Sequence, residues 1–487
     1  MVYINFYFLQ CQQKNPRIMD MSHIYKTKPF EHQRQALIKG AEKEYFLYLM
    51  GMGTGKTKVA IDNAVYLYNQ KKIDTVFVIV PNSITHNWLK EIDIHSSAKS
   101  IKYLFKRDSF DYKFENAINW YVMNVEALSH ASGVKVAKKL IDKCKDKMFM
   151  VVDECTTIKN HKAKRTRNIV KLSSDVKYKR GMTGSPTTKS PLDLYSQCEF
   201  LKPGLLGFKS YYAFRARYCA MRPLSNEGNR QIMIPMYFTN LAELEGKIKG
   251  FSFRVKKEDC FDLPPKVFTK RFLGMSKEQL ECYTSLKKYA RAIFQDKESS
   301  YTNKLTELLR LHQVTCGFFV SDKGQRESFD TPKMTELCNI IDETEGKVII
   351  WANYIHNIEQ IIQVLKKKYP FDNTVAIYGA VNVKDRDQAV ESFQEDSKTR
   401  FFVGNPSTGG YGLNLTAATT VIYFSNSYDL TLREQSEDRA HRHGQKKSVT
   451  YIDLVTKGTI DEFIIKALNE KKKMSAQTLG EEVLNFL

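Results

Sequence analysis

"YFLYLMGMGTGKTKVAIDNAVYLY", residues 45–68, decides the fold. It opens on an apolar run, passes through glycines at 51, 53 and 55, and continues as a helical pattern. Strand, glycine-rich loop, helix is the context that a phosphate-binding loop requires. Gly53 and Gly55 let backbone N–H groups turn toward phosphate oxygens at a helix start, where partial positive charge gathers. Gly51 and Thr54 complete the loop, Lys56 is placed to reach the β and γ phosphates of ATP, and Thr57 to put its hydroxyl on Mg2+. Met50 stands where the usual pattern has its first glycine. The alternative, a glycine-rich turn with a chance Lys-Thr, does not explain the strand before it and the helix after it.

Working outward, the same alternation of strand and helix recurs. "DTVFVIVP" (74–81), "KMFMVVDE" (147–154), "GKVIIWAN" (346–353), "TRFFVGN" (399–405) and "ATTVIYFSN" (418–426) are apolar on both faces. That suits central parallel strands covered by helices. Alternating β and α over this length implies open parallel sheets, an α/β fold. The strands fall into two groups, before about residue 200 and after about residue 345. Between them "SKEQLECYTSLKKYARAIF" (276–294) and "NKLTELLRLHQVT" (303–315) read as helices, and "DLPPK" (262–266) as a hinge. The expected organisation is an N-terminal extension at 1–27, a first lobe at 28–262, a hinge and helical protrusion at 263–345, a second lobe at 346–460 and a C-terminal helix at 461–487. The first twenty residues read as a disordered tail, with Met19 or Met21 as alternative starts.

Composition narrows the partners. The chain has 75 Lys and Arg against 54 Asp and Glu, a net charge of +21. A surplus of that size attracts polyanions, nucleic acid first. Nine cysteines are scattered with no C-x-x-C pair, so neither a zinc ribbon nor a disulfide framework is suggested, and reduced thiols imply a cytoplasmic setting. No apolar run approaches the ~20 residues of a membrane span.

Two further stretches carry chemistry. "FMVVDECTTIKN" (149–160) ends a buried strand in two carboxylates. Asp153 can hold hydrated Mg2+ while Glu154 orients and deprotonates a water for attack on the γ-phosphate. "KPFEHQRQAL" (28–37) lies just upstream of the loop, and the amide of Gln33 can read both a donor and an acceptor of adenine. "REQSEDRAHRHGQKK" (433–447) crowds cations, histidines and acids together. It reads as a solvated charged helix, a metal site or a phosphate-gripping surface. If 431–443 is helical, Gln435, Arg439 and Arg442 share one face, while His441 and His443 point apart, against a metal pair. Asp438 is spaced to pair with Arg442.

At this point the chain resembles the Swi/Snf family of superfamily-two helicase-like ATPases. The resemblance runs from about residue 28 to about 475, with the motifs in family order. "KPFEHQ" resembles the adenine-reading glutamine motif and "GMGTGKT" motif one. "VFVIVPNSITHNWLKEI" resembles the segment that touches a DNA strand. "DECTTIKN" sits where the family has Asp-Glu-Ala-His-x-x-Lys-Asn. "GMTGSPTTKSPLDLYSQCEFLKPGLLG" (181–207) resembles motif three, "STGGYGLNLTAATTVI" (407–422) motif five, and "QSEDRAHRHGQ" (435–445) motif six.

The resemblance implies two RecA-like lobes with ATP in the cleft between them. Arg439 and Arg442 are then arginine fingers, with Gln435 and Gly412 also at the nucleotide. It implies phosphate contacts from Pro81, Asn82 and Ser83, from motif three, around Asn353, and from Ser407 to Gly410. Two departures stand out. Cys155 and Thr156 replace Ala-His, which puts a coupling contact to motif three in doubt, and "SNSYD" (425–429) replaces a Trp-Trp segment.

The expected activity is ATP-driven translocation along double-stranded DNA, in a minimal bacterial or phage-like motor associated with the nucleoid. Strand separation stands second, because the sequence shows no separating pin. An ATP-switched DNA-binding module stands third, and the intact Lys56, Asp153, Glu154, Arg439 and Arg442 argue against it. No nuclease cluster is visible, so cutting would fall to a partner nuclease, or to replication or recombination proteins.

Overall fold

The computed structural model describes residues 21–106, 109–110, 116–184, 190–227, 230–261, 263–295, 301–321, 323–409 and 413–478. The chain divides into two compact units, one through Cys260 and one from Phe261 to Lys473.

The first unit contains β1 (Tyr45–Met50), β2 (Thr75–Val80), β3 (Ser100–Leu104), β4 (Ile118–Asn124), β5 (Met148–Asp153) and β6 (Tyr178–Thr183). After them come β7 (Cys219–Glu227), β8 (Arg230–Phe238) and β9 (Ser252–Val255). All but β7 and β8 form one seven-stranded sheet in the order β3-β4-β2-β5-β6-β1-β9. Every pairing in it is parallel. Strands β2 and β5 are buried along their whole length, which explains why they are apolar throughout rather than alternating. β7 and β8 form a separate antiparallel hairpin. The sequence reading did not anticipate this hairpin. Its strands carry Pro223 and Pro235, residues that argue against a strand reading.

The second unit begins with β10 (Lys266–Leu273) and a short hairpin, β11 (Phe318–Val320) and β12 (Arg326–Ser328). It continues with β13 (Lys347–Trp351), β14 (Asn373–Ile377), β15 (Thr399–Gly404), β16 (Ala418–Tyr423) and β17 (Val449–Thr456). Six of these form a second parallel sheet, ordered β10-β17-β16-β13-β15-β14. Side chains alternate between two cores. Val348, Ile350 and Ile422 pack on one face, and Ile349, Trp351, Val421 and Tyr423 on the other.

The region 263–345 is therefore not only helical. Helices Lys277–Gln295, Tyr301–Thr315 and Pro332–Asp342 lie there, but β10 also starts there and forms an edge of the second sheet. β10 reads KVFTKRFL and is mostly exposed, so it lacks the all-apolar signature of the central strands. Among the described residues no helix is long and apolar enough to cross a membrane.

Candidate active site

In the first unit the functional side chains gather at the C-terminal ends of β1, β2, β5 and β6, the end from which parallel strands feed their connections. β1 runs into the glycine-rich loop, and the helix Lys56–Asn69 follows. Gly53 and Gly55 both have left-handed backbones, with φ of 75° and 82°. A Cβ on Gly55 would also lie 2.2 Å from Nε2 of Gln33, so glycine is required twice over. The Gly51 N–H donates to the Val255 carbonyl at 3.0 Å, tying the loop to β9. The Thr54 hydroxyl donates to the Gly51 carbonyl at 2.7 Å. Lys56 is buried, and its ammonium donates to the carbonyls of Met50 at 3.0 Å and Gly51 at 3.3 Å. Thr57 is the second residue of the helix.

Gln33 lies on the helix Glu31–Gly40. Its Nε2 donates to the Thr54 carbonyl at 3.0 Å, and its Oε1 accepts the Phe30 N–H at 3.0 Å. One N–H and one lone pair of the amide remain for a ligand. His32, which the sequence reading passed over, places Nε2 2.9 Å from the same Thr54 carbonyl. Burial lowers its pKa. Residues 32 and 33 point to different faces of an ideal helix, so no periodicity would pair them on one loop carbonyl.

Asp153 ends β5 and is buried. Its Oδ2 accepts the indole N–H of Trp88 at 2.8 Å, and its Oδ1 accepts the Glu154 N–H at 2.9 Å. Burial raises its pKa, against the opposing pull of Lys56 and these two donors. Glu154 sits in the left-handed region at φ 46°, uncommon for a residue with a Cβ. This turns its side chain out of the strand line, where the Thr183 hydroxyl at the end of β6 reaches Oε2 at 3.4 Å. Cys155 is buried, and its thiol donates to Oε1 of Gln197 at 3.0 Å. Burial pushes that thiol well up, so it stays protonated. The segment around Asp153 is thus joined to the segment after β6 by Thr183 and by Cys155–Gln197. Residues 185–189 of that segment lie outside the described residues.

Thr57 and Asp153 offer a hydroxyl and a carboxylate, the hard oxygen donors that Mg2+ prefers. No group of three or more His, Cys, Asp or Glu side chains placed to hold a metal occurs among the described residues.

In the second unit the helix Leu430–Ala440 carries Gln435 and Arg439. It stops before Arg442, three residues short of the expected end. The Gln445 side chain donates to the Ala440 carbonyl at 3.2 Å, and Gly444 turns the chain at φ 99°. Arg439 and Arg442 nevertheless converge, because each Nη1 donates to the Leu413 carbonyl, at 3.3 and 3.1 Å. Gln435 is buried, with no hydrogen-bond partner on Oε1. Gly412 and Gly410 lie outside the described residues.

The charges of 433–447 have divided roles. Arg433 is buried beneath the helix. It donates to Oε1 of Glu437 at 2.8 Å, to Oδ1 of Asn426 at 2.6 Å and to both oxygens of Asp453, and it stacks 3.5 Å above the Tyr423 ring. Asp438 and Glu437 take Lys266 of β10, at 3.1 and 3.3 Å. The His441 ring meets the Pro264 carbonyl at 2.7 Å, whereas His443 is exposed beside Phe261. The segment that replaces Trp-Trp supplies Asn426 to the Arg433 cluster. It also supplies Asp429 as the helix cap, accepting the N–H groups of Thr431 and Leu432.

At the strand ends of this sheet, Asn353, Asn405 and Ser425 form one polar cluster. The Ser425 hydroxyl accepts the Asn353 N–H at 2.9 Å, and Asn405 donates to the Asn353 carbonyl at 2.7 Å. Asn405 also accepts from Ser407. Asn405 and Ser425 were not foreseen, since the Asn353 backbone that both of them meet lies at the end of another strand.

With this geometry in place, comparison with known proteins is informative. A family model described as SNF2-related domain matches residues 49–318, and one described as Helicase conserved C-terminal domain matches residues 332–444. An uncharacterized ATP-dependent helicase of Mycoplasma genitalium is 27% identical over 478 residues, covering 96% of this chain and 44% of its own length. The putative ATP-dependent helicase/translocase YwqA of Bacillus subtilis is 26% identical over 452 residues, covering 88% of this chain and 46% of its own. The chain thus spans less than half the length of these relatives. A solved Sulfolobus solfataricus SWI2/SNF2 ATPase core in complex with dsDNA aligns over 96% of both chains, at 23% identity and a TM-score of 0.43. With a family model matched over more than half of its residues, the chain belongs to the SNF2-related family.

Proposed function

We propose that this chain is a DNA-dependent ATPase that moves along double-stranded DNA. The observation that carries the proposal is the meeting of Lys56, Asp153 and Glu154 at the strand ends of one sheet. Lys56 is close enough to Asp153 to act on its carboxylate electrostatically, and Glu154 is turned outward beside it.

The loop N–H groups around Gly53, Thr54 and Gly55 bind the phosphates of ATP at the start of the helix Lys56–Asn69. Lys56 leaves its two backbone carbonyls and transfers its donors to the β and γ phosphate oxygens. Thr57 and Asp153 hold Mg2+, which supplies charge neutralisation of the phosphates when bound. Glu154 orients the attacking water and takes its proton. Arg439 and Arg442, poised together on one carbonyl, stabilise charge on the transferring phosphoryl group in the role the family resemblance gives them. The remaining N–H and lone pair of the Gln33 amide read adenine.

DNA is gripped through its backbone, without sequence preference, by the turn at 81–85 and by the Asn353–Asn405–Ser407 cluster. A net charge of +21 favours that polyanion. Turnover measured with and without duplex DNA tests the ATPase, and displacement of a third strand from a triplex then tests movement. Turnover indifferent to duplex, or stimulation without triplex displacement, would refute translocation.

A further inference from the structure

The indole of Trp88 touches the carboxylate on which the proposed chemistry depends, from a segment with a different task. β2 and β5 are neighbours in the sheet, with Ile79 opposite Val152. The chain leaving β2 at Pro81 therefore starts beside the strand end that carries Asp153. It makes one tight turn, Asn82–Ile84, closed by the Thr85 hydroxyl on the Asn82 carbonyl at 2.9 Å, and enters the helix Thr85–His95. Trp88 is one turn into that helix and is 1% exposed. Its N–H ends on Oδ2 of Asp153, 65 residues away in sequence.

A buried hydrogen bond from a neutral donor to a carboxylate is charge-assisted and directional. With Oδ1 fixed by the Glu154 N–H, the Trp88 bond sets the rotation of the carboxylate about its last torsion. The donor is a rigid bicycle anchored in a helix that has the 81–85 turn at its N-terminal end. A shift of that helix by about 1 Å would take the bond beyond hydrogen-bonding range. Packing alone would be met by any large apolar ring, but the N–H adds a link between the turn and Asp153.

We propose that Trp88 is the positioning residue through which duplex DNA held at the 81–85 turn sets the orientation of Asp153, so that DNA binding stimulates hydrolysis. This rests on the DNA-dependent ATPase reading above. The informative variants are Trp88→Phe and replacement of Trp88 by 3-benzothienylalanine, which keeps the bicyclic outline and lacks only the N–H. Four quantities are compared with the parent: basal turnover, duplex-stimulated turnover, KM for ATP and duplex affinity. The chain has three tryptophans, so the change in tryptophan emission on adding duplex, taken as parent minus Trp88→Phe, gives a readout independent of activity.

The expected result is a roughly tenfold fall in the ratio of stimulated to basal turnover in both variants. KM for ATP and duplex affinity should stay within about twofold, and the parent's emission change should be lost in Trp88→Phe. A ratio preserved in the benzothienyl protein overturns the proposal. So does an equal fall in basal and stimulated turnover, which would make Trp88 a support for Asp153 alone. If the parent itself ignores duplex, the DNA-dependent reading fails before Trp88 is tested, and the two failures are told apart.

Discussion

Removing the Arg433 guanidinium should destabilise the second unit more than removing any exposed cation of the same stretch. Arg433 is 7% exposed and faces Glu437 and Asp453, which are themselves buried. Breaking a buried ion pair from one side typically costs about 3–5 kcal/mol, because the carboxylate left behind is neither solvated nor paired. Here each acid keeps one partner. Asp453 keeps the Asn426 amide at 2.8 Å, and Glu437 keeps Lys266 at 3.3 Å. The loss for Arg433→Met is therefore placed at the lower end, about 3 kcal/mol. For a unit of this size that lowers the midpoint of thermal unfolding by roughly 6–12 °C. Urea titration followed by circular dichroism measures the change directly. Because the penalty lies in the orphaned carboxylate, adding Asp453→Asn to Arg433→Met should return part of it. Turnover should fall as well, since the helix that Arg433 holds down also carries Gln435 and Arg439. A loss below about 1 kcal/mol for Arg433→Met, or no recovery in the double variant, would refute the assignment of Arg433 as a buried anchor.

Lys56→Ala and Glu154→Gln should both abolish hydrolysis, but only Lys56→Ala should weaken nucleotide binding; near-normal turnover in either would sink the site. Arg439→Ala and Arg442→Ala should each cut turnover by less than the ~10³ to 10⁵ of a single arginine finger, since two share the task, with ATP affinity of the first unit largely intact. Turnover within about twofold for both would refute their role as arginine fingers. Duplex affinity should fall linearly on logarithmic axes with salt, with a slope near ~0.9 per phosphate contacted, and a flat line would argue against backbone gripping. The second unit should lose a stabilising contribution of His312 in mild acid. His312 is buried against Tyr354 and Asp461, and burial lowers its pKa to about 4. The unfolded chain takes up this proton below about pH 6.5 and the folded chain only near 4, so about 3 kcal/mol present above pH 6.5 is lost between those values. His312→Asn should flatten unfolding free energy against pH across that window.

Much of the sheet framework was legible because its central strands are buried on both faces. A strand such as TVFVIV has no polar side to show and is recognised by its continuous apolar run. β6 escaped the same test. It reads YKRGMT, with two cations inside a buried strand. Arg180 is fully buried and donates to the carbonyls of Gly40 at 2.7 Å and Lys43 at 2.8 Å, and Lys179 donates to Ser173 at 3.0 Å. Carbonyls at or just past the ends of the helices Glu31–Gly40 and Lys164–Ser173 therefore satisfy these charges, and burial lowers the Lys179 pKa to about 8. Nothing local in the sequence announces the partners of Arg180, because they lie far away along the chain.

The candidate site divides along the same line. The phosphate loop and the Asp-Glu pair were readable because each is a short motif set by its own strand end, whereas Arg439 and Arg442 meet on the Leu413 carbonyl although the helix ends before Arg442. Pairing a residue with a distant one was not readable. Trp88 meets Asp153, Thr183 meets Glu154, and both guanidinia meet the Leu413 carbonyl, each across a gap in sequence closed only by strand order. The sequence by itself determined the central apolar strands, the loops at their ends and the chemical groups on those loops, since local periodicity and turn chemistry act within a few residues. The tertiary structure decided which of those groups face one another. Parallel strands bring distant segments to one edge, and a buried charge or N–H takes whichever partner that edge provides.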